Sequence, residues 1–266
     1  MSQVSVERVG PVARVAMYNP PEGYMNSATI RELSAAMDSL EADPLIRAII
    51  FTGAMPGLFM LHYDVSEIIV TAKALKGSRA GIPDARDMPF HGLFTRIEAC
   101  AKPTIAAING HCIGGGLEFA LCCDLRLAGA GDYRIGMPEI RVGIFPGGGG
   151  TQRLARTIGT AAALDCILRA RLFSPREAAA RGLVHDCVVG DVLGEATRTA
   201  EVLASHPPKA VASVKHLVRG AATWSLDEGL EREWQAYAGL LTADSSAVDR
   251  LETFADKGMP MDRSST

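Results

Sequence analysis

Three short runs most constrain this fold. They are "RAIIFTG" (47–53), "PTIAAING" (103–110) and "DLRLAG" (124–129), each β-branched or apolar and each ending at a glycine. A run of that length and composition, cut off by a glycine, reads as a buried strand. Amphipathic stretches lie between such runs. In "SATIRELSAAMDSLEAD" (27–43), Ile30, Leu33, Met37 and Leu40 recur at helical spacing, Thr29 and Glu32 suit a capping box, and Pro44 stops the helix. Strands alternating with helices predict an α/β architecture. "VSVERVGPVARVAMYN" (4–19) adds two strands around a Gly-Pro turn.

The pattern changes twice. Segment 73–88 mixes charges with two glycines and a proline and has no sustained period, so it reads as a surface loop, either a lid or an idle insertion. Beyond residue 200 only helices are expected. One starts at the prolines of 207–222, and one carries Leu230, Trp234, Tyr237 and Leu241 along a face. The last, 244–258, is capped by Asp244 and stopped by Gly258. The expected division is a core domain over 1–200 and a helical region over 201–266. A chain of 266 residues can bury a sizeable core.

Charge and cysteine content narrow the function classes. A formal charge of -3 argues against nucleic acid and acidic membranes as partners. No apolar run reaches membrane-spanning length, the first ten residues lack the blocks of a signal peptide, and the six cysteines form no C-x-x-C pair. The expectation is a cytoplasmic protein with reduced thiols. His111, Cys112, Cys122 and Cys123 lack the spacing of a zinc site, so no metal is expected.

The chemistry concentrates around "HCIGGGLEFALCCD" (111–124). A dinucleotide fingerprint needs G-x-G-x-x-G, and a phosphate loop needs a Lys followed by Ser or Thr. Neither is present. An oxyanion site built from unpaired backbone N–H groups fits better. Glu118 is then either a first-turn carboxylate that complements the helix or a half-buried acid-base group, because "FALCCDL" offers it no polar face. A second constellation, "GMPEIRVGIFPGGGGTQRLART" (136–157), places Glu139 after a Met-Pro pair and four glycines, Gly147 to Gly150, ahead of a helix.

Together "KPTIAAINGHCIGGGLEFALCCDLRLAG" (102–129) and "YRIGMPEIRVGIFPGGGGTQRLART" (133–157) resemble the crotonase superfamily, the enoyl-CoA hydratases and isomerases. The likeness continues through 171–189 and ends in 249–260. It implies a spiral of ββα units forming two roughly perpendicular sheets, with C-terminal helices that pack on neighbours in a homotrimer or hexamer. It implies an acyl-CoA substrate, coenzyme A arriving as part of that substrate and no separate cofactor. The implied reaction is hydration of a 2-enoyl-CoA to a 3-hydroxyacyl-CoA through an enolate, the chemistry of fatty acid metabolism. The oxyanion donors match Tyr63 and Gly115, with Gly114 beside them. The water-handling glutamates match Glu118, as the activator of water, and Glu139, as the proton donor to carbon. Gly147 is implied as a further donor to the water.

Two departures stand out. The usual Ala-Gly-Ala-Asp of the oxyanion loop is "LHYD" here, with Asp64 kept and Leu61, His62 and Tyr63 in place of small residues. His62 is either an added acid-base group, as a carbon–carbon hydrolase acting on a β-diketone would use, or a space filler. Segment 20–26 carries Glu22 where the family has a basic residue near coenzyme A, so Lys257 is the candidate substitute. His111, His185 and His216 are read as packing residues.

Overall fold

A computed structural model describes residues 2–77, 81–243 and 245–257. The chain divides into two compact units, Met1–His206 and Pro207–Thr266. The first holds strands β1 (Val4–Val9), β2 (Val12–Met17), β3 (Ala48–Gly53), β4 (Leu58–Met60), β5 (Thr104–Ile108), β6 (His111–Ile113), β7 (Leu125–Gly129), β8 (Ile135–Gly136), β9 (Leu172–Phe173) and β10 (Asp186–Val188). Its helices are α1 (Ser27–Ala42), α2 (Val65–Gly77), α3 (Pro89–Ala99), α4 (Gly115–Ala120), α5 (Gly150–Ile158), α6 (Thr160–Leu168), α7 (Pro175–Ala180) and α8 (Val192–Ser205).

The strands form two sheets, ordered β1-β2-β3-β5-β7-β10 and β4-β6-β8-β9. In the larger sheet only the β1–β2 pair is antiparallel. The apolar runs are covered on both faces, which is why their side chains do not alternate with polar ones. On β3, Ile49 and Phe51 enter the main core, while Ala48 and Ile50 face the other way. That second face is closed by α8, whose Val192, Ala196, Ala200 and Ala204 recur every fourth residue along one buried stripe.

Successive turns of chain each give a strand to both sheets. β3, β5 and β7 stack in parallel in the larger one (Ile49 opposite Thr104, Ile105 opposite Leu125). β4, β6 and β8 do the same in the smaller one (Leu58 opposite His111, Cys112 opposite Ile135). The segments leaving β4, β6 and β8 therefore emerge side by side at one edge, and those segments carry Tyr63, Gly114–Gly115 and Glu139.

Two local expectations are corrected. The box capping α1 is Asn26 with Thr29, not Thr29 with Glu32. The Glu32 carboxylate instead accepts the Ser2 hydroxyl and the Gln3 and Val4 amides, tying the chain start to α1. Segment 73–88 is not a continuous loop. α2 continues to Gly77, because Ala, Lys and Leu sustain a helix, and a 3₁₀ turn at Ala85–Asp87 is capped by Asp84.

The second unit comprises α9 (Pro208–Gly220), α10 (Leu226–Ala243) and α11 (Ser245–Lys257). Leu230, Trp234 and Tyr237 on α10 stand exposed. A cavity of about 410 Å³ is lined by Pro207, Tyr237, Leu241, Leu251 and Phe254 among others. The expected Asp244 cap and Gly258 stop fall outside the described residues. Among the described residues no helix is long and apolar enough to cross a membrane.

Candidate active site

Two peptide units are held so that their N–H groups meet. The carbonyl of His62 accepts the Met25 N–H at 3.1 Å, and Asp64 N–H returns a bond to Met25 at 2.7 Å. The C=O and N–H of a trans peptide point in opposite directions, so the Tyr63 N–H faces away from segment 19–26. The Gly114 carbonyl likewise accepts the Leu117 and Glu118 amides at 2.9 and 3.0 Å, which turns the Gly115 N–H outward from α4. Among the described residues neither the Tyr63 nor the Gly115 amide has a protein acceptor. A Cβ on Gly115 would lie 3.1 Å from the Tyr63 nitrogen, so the two amides are neighbours.

Each glycine of the triplet has its own reason. Gly114 sits at φ 58, ψ -123, outside the range of residues with a Cβ. Gly115 gives the Tyr63 amide room. Gly116 packs on β4, where a Cβ would fall 2.1 Å from the Met60 carbonyl oxygen. α4 is only six residues long, so the donors come from peptide orientation rather than a long helix dipole.

Glu118 lies on α4 with 5% of its surface exposed, and its Oε1 accepts the Gly150 N–H at 2.8 Å. Burial pushes its carboxyl up to about 7, and the nearby Glu139 charge adds to that. The Gly150 and Gly148 amides and the Arg153 cation pull the other way. Glu139 opens a 3₁₀ turn, Glu139–Val142, directly after β8 and Pro138. Burial raises its carboxyl as well, against its own backbone N–H and His62. Its Oε2 is buried and has no hydrogen-bond partner among the described residues. A buried carboxyl oxygen in that condition is available to a substrate or water. The site thus offers two amides for a developing oxyanion and two acids that burial makes hold their protons more tightly than an ordinary carboxyl does.

The other sequence candidates fall into distinct places. The Tyr63 ring leaves the amide pocket and its hydroxyl donates to Glu67 at 2.7 Å, with burial pushing it up to about 12. His62 stacks on Tyr24, ring centroids 4.4 Å apart, and its Nδ1 bonds the Tyr63 carbonyl at 2.8 Å. Its Cβ and Glu139 Oε1 lie 3.1 and 2.9 Å from the point a Gly114 Cβ would occupy, so His62 and Glu139 meet at Gly114. Asp64 caps α2. The Ser66 hydroxyl and amide hold its carboxyl below the usual range. Gly147 is exposed, and further along the same loop Gly150 N–H donates to Glu118. The side chain of Lys257 lies outside the described residues.

His111 and His185 accept the Arg134 and Arg126 amides through Nδ1, and His216 packs edge-on to Trp224. Cys112, Cys122 and Cys123 are buried in the core, and among the described residues no group of three or more His, Cys, Asp or Glu could hold a metal ion. Sequence reasoning passed over Arg153 and Glu98, which lie behind Glu118. The only signal was an arginine in the Gln-Arg-Leu that follows the glycine run.

The chain matches the family described as Enoyl-CoA hydratase/isomerase over residues 7–261. It is 32% identical over 259 residues to the short-chain-enoyl-CoA hydratase of Clostridium acetobutylicum, covering 97% of this chain and 96% of that protein. It is 32% identical over 262 residues to the 2,3-dehydroadipyl-CoA hydratase of Escherichia coli, covering 98% of each. Among solved structures it superposes on Pseudomonas aeruginosa DspI with a TM-score of 0.86 at 29% identity, covering 97% of this chain and 95% of that one.

Proposed function

Because this chain belongs to the enoyl-CoA hydratase/isomerase family, we propose that it adds water across the 2,3 double bond of an enoyl-CoA thioester, giving a 3-hydroxyacyl-CoA. The observation that carries this reading is the pair of half- to fully-buried acids, Glu118 and Glu139, both raised above the ordinary carboxylate range beside two unpaired amides.

In this reading the thioester oxygen rests on the Tyr63 and Gly115 N–H groups. Ionised Glu118 takes a proton from water as the oxygen bonds C3. The electrons of the double bond move onto the thioester oxygen, and the enolate collapses as Glu139 delivers a proton to C2. Each amide donor is worth about 3 kcal/mol to such an oxyanion. Facing acids titrate as a coupled pair, so their apparent values belong to both. Isomerisation of an enoyl-CoA needs one carboxylate, and the second then has no task. No separate cofactor is used, and the coenzyme A arrives with the substrate. Self-association into a trimer or hexamer through the exposed apolar face of α10 completes the proposal.

The test follows the loss of the conjugated thioester absorbance over short, medium and branched 2-enoyl-CoA substrates. Folded protein that hydrates none of them overturns the reading. His62 beside Glu139 favours a second one, carbon–carbon hydrolysis of a β-diketone. That requires activity on a CoA-free diketone that disappears in His62→Ala.

A further inference from the structure

Behind Glu118 lies a charged assembly that the proposed reaction leaves unused. Arg153 on α5 is almost enclosed, with 13% of its side chain exposed. Its Nε and Nη2 donate to Glu98 Oε2 at 3.0 and 2.9 Å, and its Nη1 donates to the Gly148 carbonyl at 3.1 Å. Glu98 stands on α3, one turn after Phe94, whose ring edge also lies against Gly148. The next residue, Gly149, has φ +98, and a Cβ there would fall 2.2 Å from Arg153 Nη1. The turn is thus shaped around the guanidinium. It also serves Glu118: a Cβ on Gly148 would lie 2.8 Å from Glu118 Oε2, and Gly150 N–H donates to Glu118 Oε1.

We propose that Arg153, anchored by Glu98, is a positioning residue for Glu118, clamping the Gly148–Gly150 turn through the Gly148 carbonyl and setting the field at the carboxylate. The role rests on Glu118 being the base of the proposed hydration. The charged and titratable groups facing Glu118 are Glu139 from the 3₁₀ turn, Arg153 from α5 and Cys122 just beyond α4. Glu98 of α3 acts on it through Arg153, whose charge also reaches His91 of α3. Among the described residues Arg153 is the cation that acts on Glu118. It stabilises the ionised form of Glu118, and Glu98 partly neutralises it.

The test is a carbon-13 NMR titration of glutamate carboxyls in the free enzyme, with the Glu118 signal assigned by its loss in Glu118→Gln. Arg153→Met raises the Glu118 midpoint by about one pH unit, a tenfold change in its acidity. Glu98→Gln lowers it, because the cation is then less neutralised. Arg153→Lys leaves the midpoint within about 0.3 of wild type, since the charge remains, but lowers kcat about tenfold with KM little changed, since the fork to Gly148 is lost. A purely structural role would loosen the Gly150 amide in both Arg153→Met and Glu98→Gln and raise the midpoint in both. That result, or an unmoved midpoint in folded Arg153→Met, overturns the proposal. If Arg153→Met does not fold, a rise in Glu98→Gln overturns it and a fall sustains it. The titration needs no turnover. Wild type that hydrates nothing yet shows these shifts sinks the hydration reading and leaves the clamp standing.

Discussion

Glu118 is a carboxylate that burial makes reluctant to ionise and that a cation and two amides persuade to do so. The balance near neutrality gives two expectations. Glu118→Gln and Glu139→Gln should each cut kcat by about 10²–10⁴-fold while leaving binding of a saturated acyl-CoA intact, and the wild-type rate should fall as pH drops below about 7 and Glu118 gains its proton. The same raised value acts on stability. Between the ordinary carboxylate range and about pH 7, the folded chain keeps a proton that the unfolded chain has lost, so stability falls as pH rises through that window. Glu118→Gln removes this burden. It should stabilise the protein at pH 8 by a few kcal/mol, about 3 on the scale of 1.36 kcal/mol per pH unit, and by little at pH 4. Denaturant melts at the two pH values check this; equal gains at both would show that Glu118 titrates normally.

At the scale of elements, the site depends on how closely α4 approaches β4. Gly116 N–H bonds the Leu61 carbonyl at 3.0 Å, and its Cα packs against the Met60 carbonyl. Gly116→Ala must push α4 off β4, since the obstacle is backbone and cannot rotate aside. The expected cost is about 2–3 kcal/mol, with the Gly115 amide displaced from Tyr63. Thermal unfolding should move down by several degrees, roughly 5 °C or more. Turnover should fall further than stability does, and a variant with wild-type melting and turnover would contradict the contact. The "LHYD" departure is absorbed at this same scale. Met25 fixes the peptide before Tyr63 through backbone bonds alone, so the side chains can change without turning the donor.

For the whole molecule, the second unit presents Trp234 with 63% and Leu230 with 53% of their surface exposed on one helix face. Apolar surface of that kind points to a partner, and a second copy is the simplest one. Light scattering should give the mass of three or six chains, and Trp234→Asp should reduce it. A wild-type monomer would remove the expected role of this region.

How much of this was legible beforehand can be read residue by residue. Ile49, Phe51, Ile105 and Ala107 announced buried strands because their pattern is set by neighbours one or two residues away. Gly114 to Gly116 announced a backbone close to something, because only a missing Cβ tolerates such approach. The family likeness singled out Tyr63, Gly115, Glu118 and Glu139. What these residues meet came from the fold. Leu58 opposite His111 and Cys112 opposite Ile135 set three chain turns in register, and that register brings the Tyr63 amide to Gly115 and Glu139 to Gly114. Only the fold shows that Asp64 caps a helix, that Gly150 N–H holds Glu118 and that Arg153 joins Glu98. Local sequence pattern reports bonds within a turn or along a strand. Convergence of distant segments depends on the stacking of whole strands, which no short window of sequence contains.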